Sequence, residues 1–159
     1  MRTVHRILAL GLLVPVFVMA AAGPGDVRIK IEMEAVTRKE GAGRFVDTAR
    51  ELYASDGKSV IRFWPKDSVA YYTFDIPHDD TYRIWMRYGS HGEGKQVRVA
   101  LDPDTREALR PVPLPPTGGY IGEGVWEWVR LAEQKLTAGA HTLAVGSAPF
   151  RPDVLLITN

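Results

Sequence analysis

Two carboxylates stand two positions apart in the stretch "IKIEMEA", Ile29 to Ala35, where apolar and polar residues alternate. Alternation with a period of two places Glu32 and Glu34 on the same face of a strand, where they repel each other. Two kinds of chemistry answer that repulsion. A solvated outer face of an antiparallel strand carries charged residues as a matter of course. Alternatively, paired carboxylates supply oxygen ligands to a hard cation, which would help hold together a domain that has no disulfide. The chain has no cysteine, so disulfides and lipid attachment through a cysteine are both excluded.

Other polar clusters carry weaker chemistry. His78, Asp79 and Asp80 in "IPHDDTY" fall between two strand-like runs, where His and Asp serve a polar turn, and His91 with Glu93 sits in the Gly-rich segment "GSHGEGK". "DPDT", Asp102 to Thr105, starts like a calcium loop, but the remaining ligand positions do not follow and it reads as a turn. No G-x-S-x-G, H-E-x-x-H or nucleophilic cysteine is present, and no pair of carboxyls is marked out as the acid and base of glycoside hydrolysis. The chain is therefore read as non-catalytic.

The aromatic residues are more informative. Trp126 and Trp128 occur as "WEW" just after "TGGYIGEG", which holds Tyr120; Tyr53 and Trp64 flank "SDGKSV"; and Trp85 lies between Arg83 and Arg87, opposite the apolar row of its strand. Exposed rings beside hydrogen-bonding side chains hold sugars, because pyranose C–H faces stack on aromatic rings while hydroxyls need polar partners. The same rings also suit the ends of a sandwich core, since Trp is highly buried on average.

The elements that must position these residues are strands. Period-two runs occur at 27–35, 58–64, 69–76, 81–88, 95–102, 125–131, 141–146 and 153–158, separated by Gly, Pro and Asp turns, and only 45–54 carries a short helical pattern. Eight or more short strands without intervening helices predict an all-β fold, an antiparallel two-sheet β-sandwich of jelly-roll type, with an up-and-down barrel as the rival. Tyr82, Ile84, Met86 and Tyr88, with Val97, Val99 and Leu101, form its expected inner rows.

The first 22 residues carry Arg2 and Arg6, then "ILALGLLVPVFVMA" and a small-residue site, the pattern of a secretory signal peptide cleaved after Ala22. A membrane span is the weaker reading, because the run is short and Pro15 interrupts it. Residues 23–159 are then one domain of 159 − 22 = 137 residues, with 20 − 2 = 18 basic and 19 acidic side chains, or a net charge of −1. That balance shows no basic footprint for nucleic acid and no polybasic membrane patch. The domain is expected to be secreted or periplasmic, bacterial in origin and monomeric.

The order of "IEMEA", "ASDGKSVIRF", "VAYYTFDIPHDDTYRIWMRY", "VRVALD", "VWEWVRL", "LTAGAHTLAV" and "PDVLLIT", running from Ile29 to Thr158, resembles the carbohydrate-binding modules of families six and thirty-five in the galactose-binding-like jelly-roll superfamily. The resemblance implies a non-catalytic module that binds polysaccharide or oligosaccharide. It also implies that Glu32, Glu34 and Asp153 hold a structural calcium ion, completed by carbonyls around Asp56 to Ser59. Sugar sites in such modules lie in the loops at one rim or on the concave sheet face, and by similarity the rim candidates are Trp126, Trp128, Tyr120, Tyr53 and Trp64. Where many relatives carry an asparagine before the last aspartate, this chain has "FRPD". Arg151 would replace that amide and favour an acidic sugar through a bidentate bond. The rival expectation is an envelope β-sandwich that has lost sugar binding and contacts a protein, since a fold alone does not fix function.

Overall fold

The computed structural model describes residues 25–41, 47–50, 52–62, 67–120, 123–146 and 150–159. The proposed signal segment and Trp64 lie outside them. Eleven strands are present among the described residues: β1 (Arg28–Glu32), β2 (Arg38–Glu40), β3 (Asp47–Arg50), β4 (Lys58–Arg62), β5 (Val69–Ile76), β6 (Asp80–Gly89), β7 (Lys95–Leu101), β8 (Arg110–Leu114), β9 (Glu127–Leu136), β10 (Gly139–Gly146) and β11 (Arg151–Thr158). One 3-10 turn, Arg106–Ala108, precedes β8. The strands form a four-stranded antiparallel sheet in the order β1-β11-β6-β9 and a five-stranded one in the order β2-β5-β10-β7-β8, with β3 and β4 as a separate pair. This is the two-sheet sandwich that the alternation predicts.

Its core is built from the rows read in the sequence. Tyr82, Ile84, Met86 and Tyr88 of β6 and Val97 and Val99 of β7 are buried in one cluster with Tyr72 and Phe74 of β5, Leu143 and Val145 of β10, and Leu155 and Ile157 of β11; Leu101 is half-buried at its margin. A smaller cluster of Val69, Tyr71, Leu109 and Ala144 lies where the segment before β8 covers the outer side of the five-stranded sheet. That is why β5 begins with buried residues on both faces.

Three local expectations change. The helical pattern at 45–54 gives way at Asp47–Arg50, which pairs with β4, because the sheet partner outweighs a weak local preference. The segment "RPVPL" forms β8 in spite of two prolines. β8 is an edge strand, and Pro111 and Pro113 share one parity opposite Arg98 and Gln96, so their missing N–H groups face away from β7. The first strand ends at Glu32, not Ala35. Ala35 N–H donates to the Glu32 carbonyl at 2.9 Å, closing a turn, and Met33 N–H donates to the Asp153 carbonyl at 3.0 Å as the Met33 side chain enters the core.

Candidate functional site

The turn, rather than the pleat of a strand, brings Glu32 and Glu34 together. Carboxylate oxygens of Glu32, Glu34 and Asp56 lie within 4.8 Å of one another at the edge where the chain leaves β1 for the other sheet. Tyr72 pins this turn from the core side, its hydroxyl donating to the Met33 carbonyl at 2.8 Å. Asp56 arrives on the loop before β4, and it accepts the Lys58 N–H through its own carboxylate at 2.9 Å. Lys30 Nζ lies 2.5 Å from Glu32 Oε1 and neutralises part of the charge. Glu34 is pushed up to about 7, first by burial, then by its hydrogen bond to Asp56 and the charges of Asp56 and Glu32. Without a cation, this cluster retains a proton near neutral pH.

Asp153 is placed beside the cluster rather than among its three carboxylates. The register of β11 against β6 shifts between Pro152 and Val154, so Asp153 is the extra residue of a bulge and its side chain is re-aimed under the Tyr53–Lys58 loop. It is 1% exposed. Its Oδ1 accepts the Ser55 N–H at 3.0 Å, and its Oδ2 pairs with Arg87 Nη1 at 2.9 Å. Burial raises its pKa against the opposing pull of Ser55 and Arg87. Ser55 links the two groups, since its hydroxyl donates to Glu32 Oε2 at 2.5 Å.

The donor set fits a hard cation such as calcium. Glu32, Glu34 and Asp56 offer carboxylate oxygens, the hard ligand type that calcium takes.

Arg87 joins this cluster to the aromatic residues. Its Nη2 donates to the Tyr53 carbonyl at 3.0 Å, its guanidinium carbon lies 5.4 Å from the Trp126 ring centre, and Trp128 is its cross-strand neighbour on β9. Trp126 Nε1 is buried with no hydrogen-bond partner among the described residues. Two positions further along β6, Gly89 pairs with Arg151, and a β-carbon there would stand 2.8 Å from the Tyr120 carbonyl. Tyr120 in turn meets the His91 ring edge-on at 6.0 Å. Tyr53, Tyr120 and Trp128 are exposed, as is Leu52 at 82%. The structure thus gathers Tyr53, Trp126, Trp128, Tyr120 and Arg151 about the end of β6.

Sequence reasoning did not single out Asp56 as a carboxylate ligand, Ser55 as a link or Arg87 as a hub. For Asp56 the signal was its place in "SDGKSV"; for Arg87 it was its outward parity beside Trp85. The other clusters have turn roles. Asp79 accepts the Ala138 N–H at 2.7 Å, Asp80 accepts the Thr81 N–H at 2.7 Å, and Asp102 accepts the Thr142 N–H at 2.7 Å. A shallow hollow of about 320 Å³ on the outer five-stranded face is lined by Thr37, Arg38, Tyr71, Thr73, Asp102 and Thr142. It is a second place where hydroxyls and a cation-capped ring meet, with Arg38 stacked 3.7 Å above Tyr71.

Fold and site together define a jelly-roll β-sandwich with an aromatic rim beside a carboxylate cluster. Among solved structures, the chain is similar to the C-terminal family 6 carbohydrate-binding module of LamC, a marine laminarinase from Zobellia galactanivorans, at 21% identity and a TM-score of 0.63, covering 84% of this chain and 100% of that one. It is similar to the family 6 module of Cellvibrio mixtus lichenase 5A solved with cellotriose (18%, TM-score 0.61, 82% and 96%) and to the family 35 module of Cellvibrio japonicus Abf62 (12%, TM-score 0.63, 84% and 94%). The fold is that of carbohydrate-binding modules of families 6 and 35, as the sequence resemblance implies. No family model and no curated protein matches the chain. Among the described residues, no helix is long and apolar enough to cross a membrane.

Proposed function

We propose that this chain is an exported, non-catalytic glycan-binding module whose sugar site is the rim formed by Trp126, Trp128, Tyr120, Tyr53 and Arg151, with a calcium ion held by Glu32, Glu34 and Asp56 as a structural element. The observation that carries it is the convergence of these rings and two guanidinium groups at the end of β6, on a fold shared with carbohydrate-binding modules. Rings stack on pyranose faces, and Arg151 offers donors to hydroxyls or a carboxylate. Calcium would neutralise the carboxylates and lock the turn after β1 to the loop carrying Tyr53 and Asp56.

Binding without processing is supported by the arrangement of the carboxyls. Glu34 near 7 would suit a general acid. Its carboxylate neighbours, however, crowd within 4.8 Å, closer than the roughly 5 to 10 Å that glycoside hydrolysis needs across a scissile bond. Affinity electrophoresis against neutral and acidic polysaccharides, with and without EDTA, tests the proposal. Retardation that Trp128→Ala abolishes supports it, and no retardation by any polysaccharide overturns it.

A further inference from the structure

We infer that the outer face of the four-stranded sheet is a second binding surface, one that takes an anionic polysaccharide across the strands at Trp85. The inference rests on the reading of the chain as a glycan binder and concerns the part of this face beyond Arg87 and Trp128, where the rim ends.

The face is fixed by register. Tyr82, Ile84 and Met86 point into the core, so Arg83 and Trp85 point out. Across the sheet, Lys30 of β1 stands opposite Leu156 of β11, Leu156 opposite Trp85 of β6, and Trp85 opposite Arg130 of β9. The next row runs Arg28, Thr158, Arg83 and Glu133, and beyond it Thr81 stands opposite Lys135. Neighbouring strands are roughly 5 Å apart, about the length of one sugar unit, so a chain laid across the strands meets one row position per sugar. Trp85 and Leu156 are half-buried and form an apolar centre. The Tyr53–Lys58 loop meets the opposite end of this face, at Glu32, Asp153 and Arg87, and β4 packs against β11.

Charge then selects the ligand. Away from that loop, the face presents five cations, Arg28, Lys30, Arg83, Arg130 and Lys135, against one carboxylate, Glu133. Arg83 and Arg130 share Glu133, and Lys30 leans to Glu32; Arg28 and Lys135 have no carboxylate partner among the described residues. Five of the 18 basic side chains of residues 23–159 thus surround one tryptophan on this sheet face. A neutral sugar would give Arg28 and Lys135 no acidic partner. A polyuronate or a sulfated glycan supplies one acid group after another, with pyranose faces for Trp85.

The test uses the full chain in native gels containing polygalacturonate, carrageenan or neutral hydroxyethylcellulose, at about 0.01 and 0.15 M ionic strength, between which the screening length falls from about 30 to about 8 Å. Polygalacturonate, carrageenan or both should retard the protein more strongly at low salt; which of them does so separates carboxylate from sulfate recognition. Arg28→Ser with Lys135→Ser, at exposed positions remote from the core, should weaken that retardation at least fivefold with melting unchanged, and Trp85→Ser should weaken it further. Retardation by hydroxyethylcellulose should be untouched by these changes and lost in Trp128→Ala. Acidic retardation that survives both the double variant and Trp85→Ser overturns the inference. So does equal retardation of the protein by a double-stranded DNA fragment with the same variant dependence, which would make the face a general polyanion surface. If only the neutral gel retards, this inference falls and the rim stands; if only the acidic gels retard and Trp128→Ala changes nothing, the rim reading falls and this one stands.

Discussion

Arg87 Nη1 lies 2.9 Å from Asp153 Oδ2, an ion pair between β6, two residues before its end, and a bulge at the start of β11. Through this pair, the aromatic rim and the carboxylate cluster become one structure. Trp126 and the Tyr53 carbonyl sit on one side of the guanidinium; Asp153, Ser55 and Glu32 follow on the other. A ligand that moves the rim and a cation that orders the cluster act on the same loop, the one carrying Tyr53, Ser55 and Asp56.

The pair also makes a stability prediction. Asp153 has no exposed side-chain surface and Arg87 keeps 23%, so removing the arginine strands a buried carboxylate. Arg87→Met is expected to cost about 3 kcal/mol. Adding Asp153→Asn to it should recover part of that loss, because the amide removes the uncompensated charge. Chemical denaturation of the wild type and both variants measures the coupling. An Arg87→Met variant as stable as the wild type would show that the ion pair does not hold the loop.

Calcium should act through the Glu32, Glu34 and Asp56 cluster. EDTA is expected to lower the melting temperature at pH 8, and calcium to restore it, with Glu32→Gln combined with Glu34→Gln removing the response. Ligation needs Glu34 ionised, and in the cation-free protein it titrates at about 7. Its folded value lies above the unfolded one, so its contribution to cation-free stability is present below about 4.5 and is lost as the pH rises through about 7. The gain on adding calcium should therefore be large at pH 8 and small at pH 5. Differential scanning calorimetry at both values measures it, and equal gains would refute the assignment.

How much of this was legible depends on the physical origin of each feature. The core row Tyr82, Ile84, Met86 and Tyr88 was readable because a strand buried on one face writes its period directly into the sequence. β8 was not, because Pro111 and Pro113 read as breakers until an edge position makes their missing N–H groups harmless. The Glu32 and Glu34 pair was visible, but the turn that joins them depends on Met33 reaching the core and bonding to Asp153, at the far end of the chain. Asp56 and Arg87 were unmarked because their roles come from a loop folding over a sheet, which no spacing records. The charged face around Trp85 was hidden by a near-zero net charge and appears only when the strand order is known.

Gly89 sets the position of the rim loop. A β-carbon there would lie 2.8 Å from the Tyr120 carbonyl, a backbone atom, so the loop must shift. Gly89→Ala is expected to weaken glycan retention by about tenfold, roughly 1.4 kcal/mol, by displacing Tyr120. The buried row beneath it is unaltered, so melting should change much less. Affinity electrophoresis paired with a melting curve separates the two effects, and full retention in the variant would remove Tyr120 from the site.

His141 gives the fold a second pH dependence, independent of any cation. Its Nδ1 lies 2.6 Å from Asp102 Oδ2 and its Nε2 lies 2.8 Å from the Thr137 carbonyl. Both partners are acceptors, so both ring nitrogens must donate, which requires the imidazolium. Burial opposes that charge, but the bonds to Asp102 and Thr137 outweigh it and raise the pKa above 6.5. Because the folded value exceeds the unfolded one, the stabilisation is complete below about 6.5 and is lost as the pH rises through the folded value. Asp102 is itself held at a φ of 45°, with its N–H donating to the Thr142 carbonyl at 2.7 Å, so the ring ties the turn after β7 to the start of β10. In a Glu34→Gln background, which removes the Glu34 proton site, the melting temperature should fall by a few degrees between pH 6 and pH 9. His141→Gln should lower it at pH 6 and flatten the dependence; a His141→Gln variant that keeps the full slope would show that the proton is bound elsewhere.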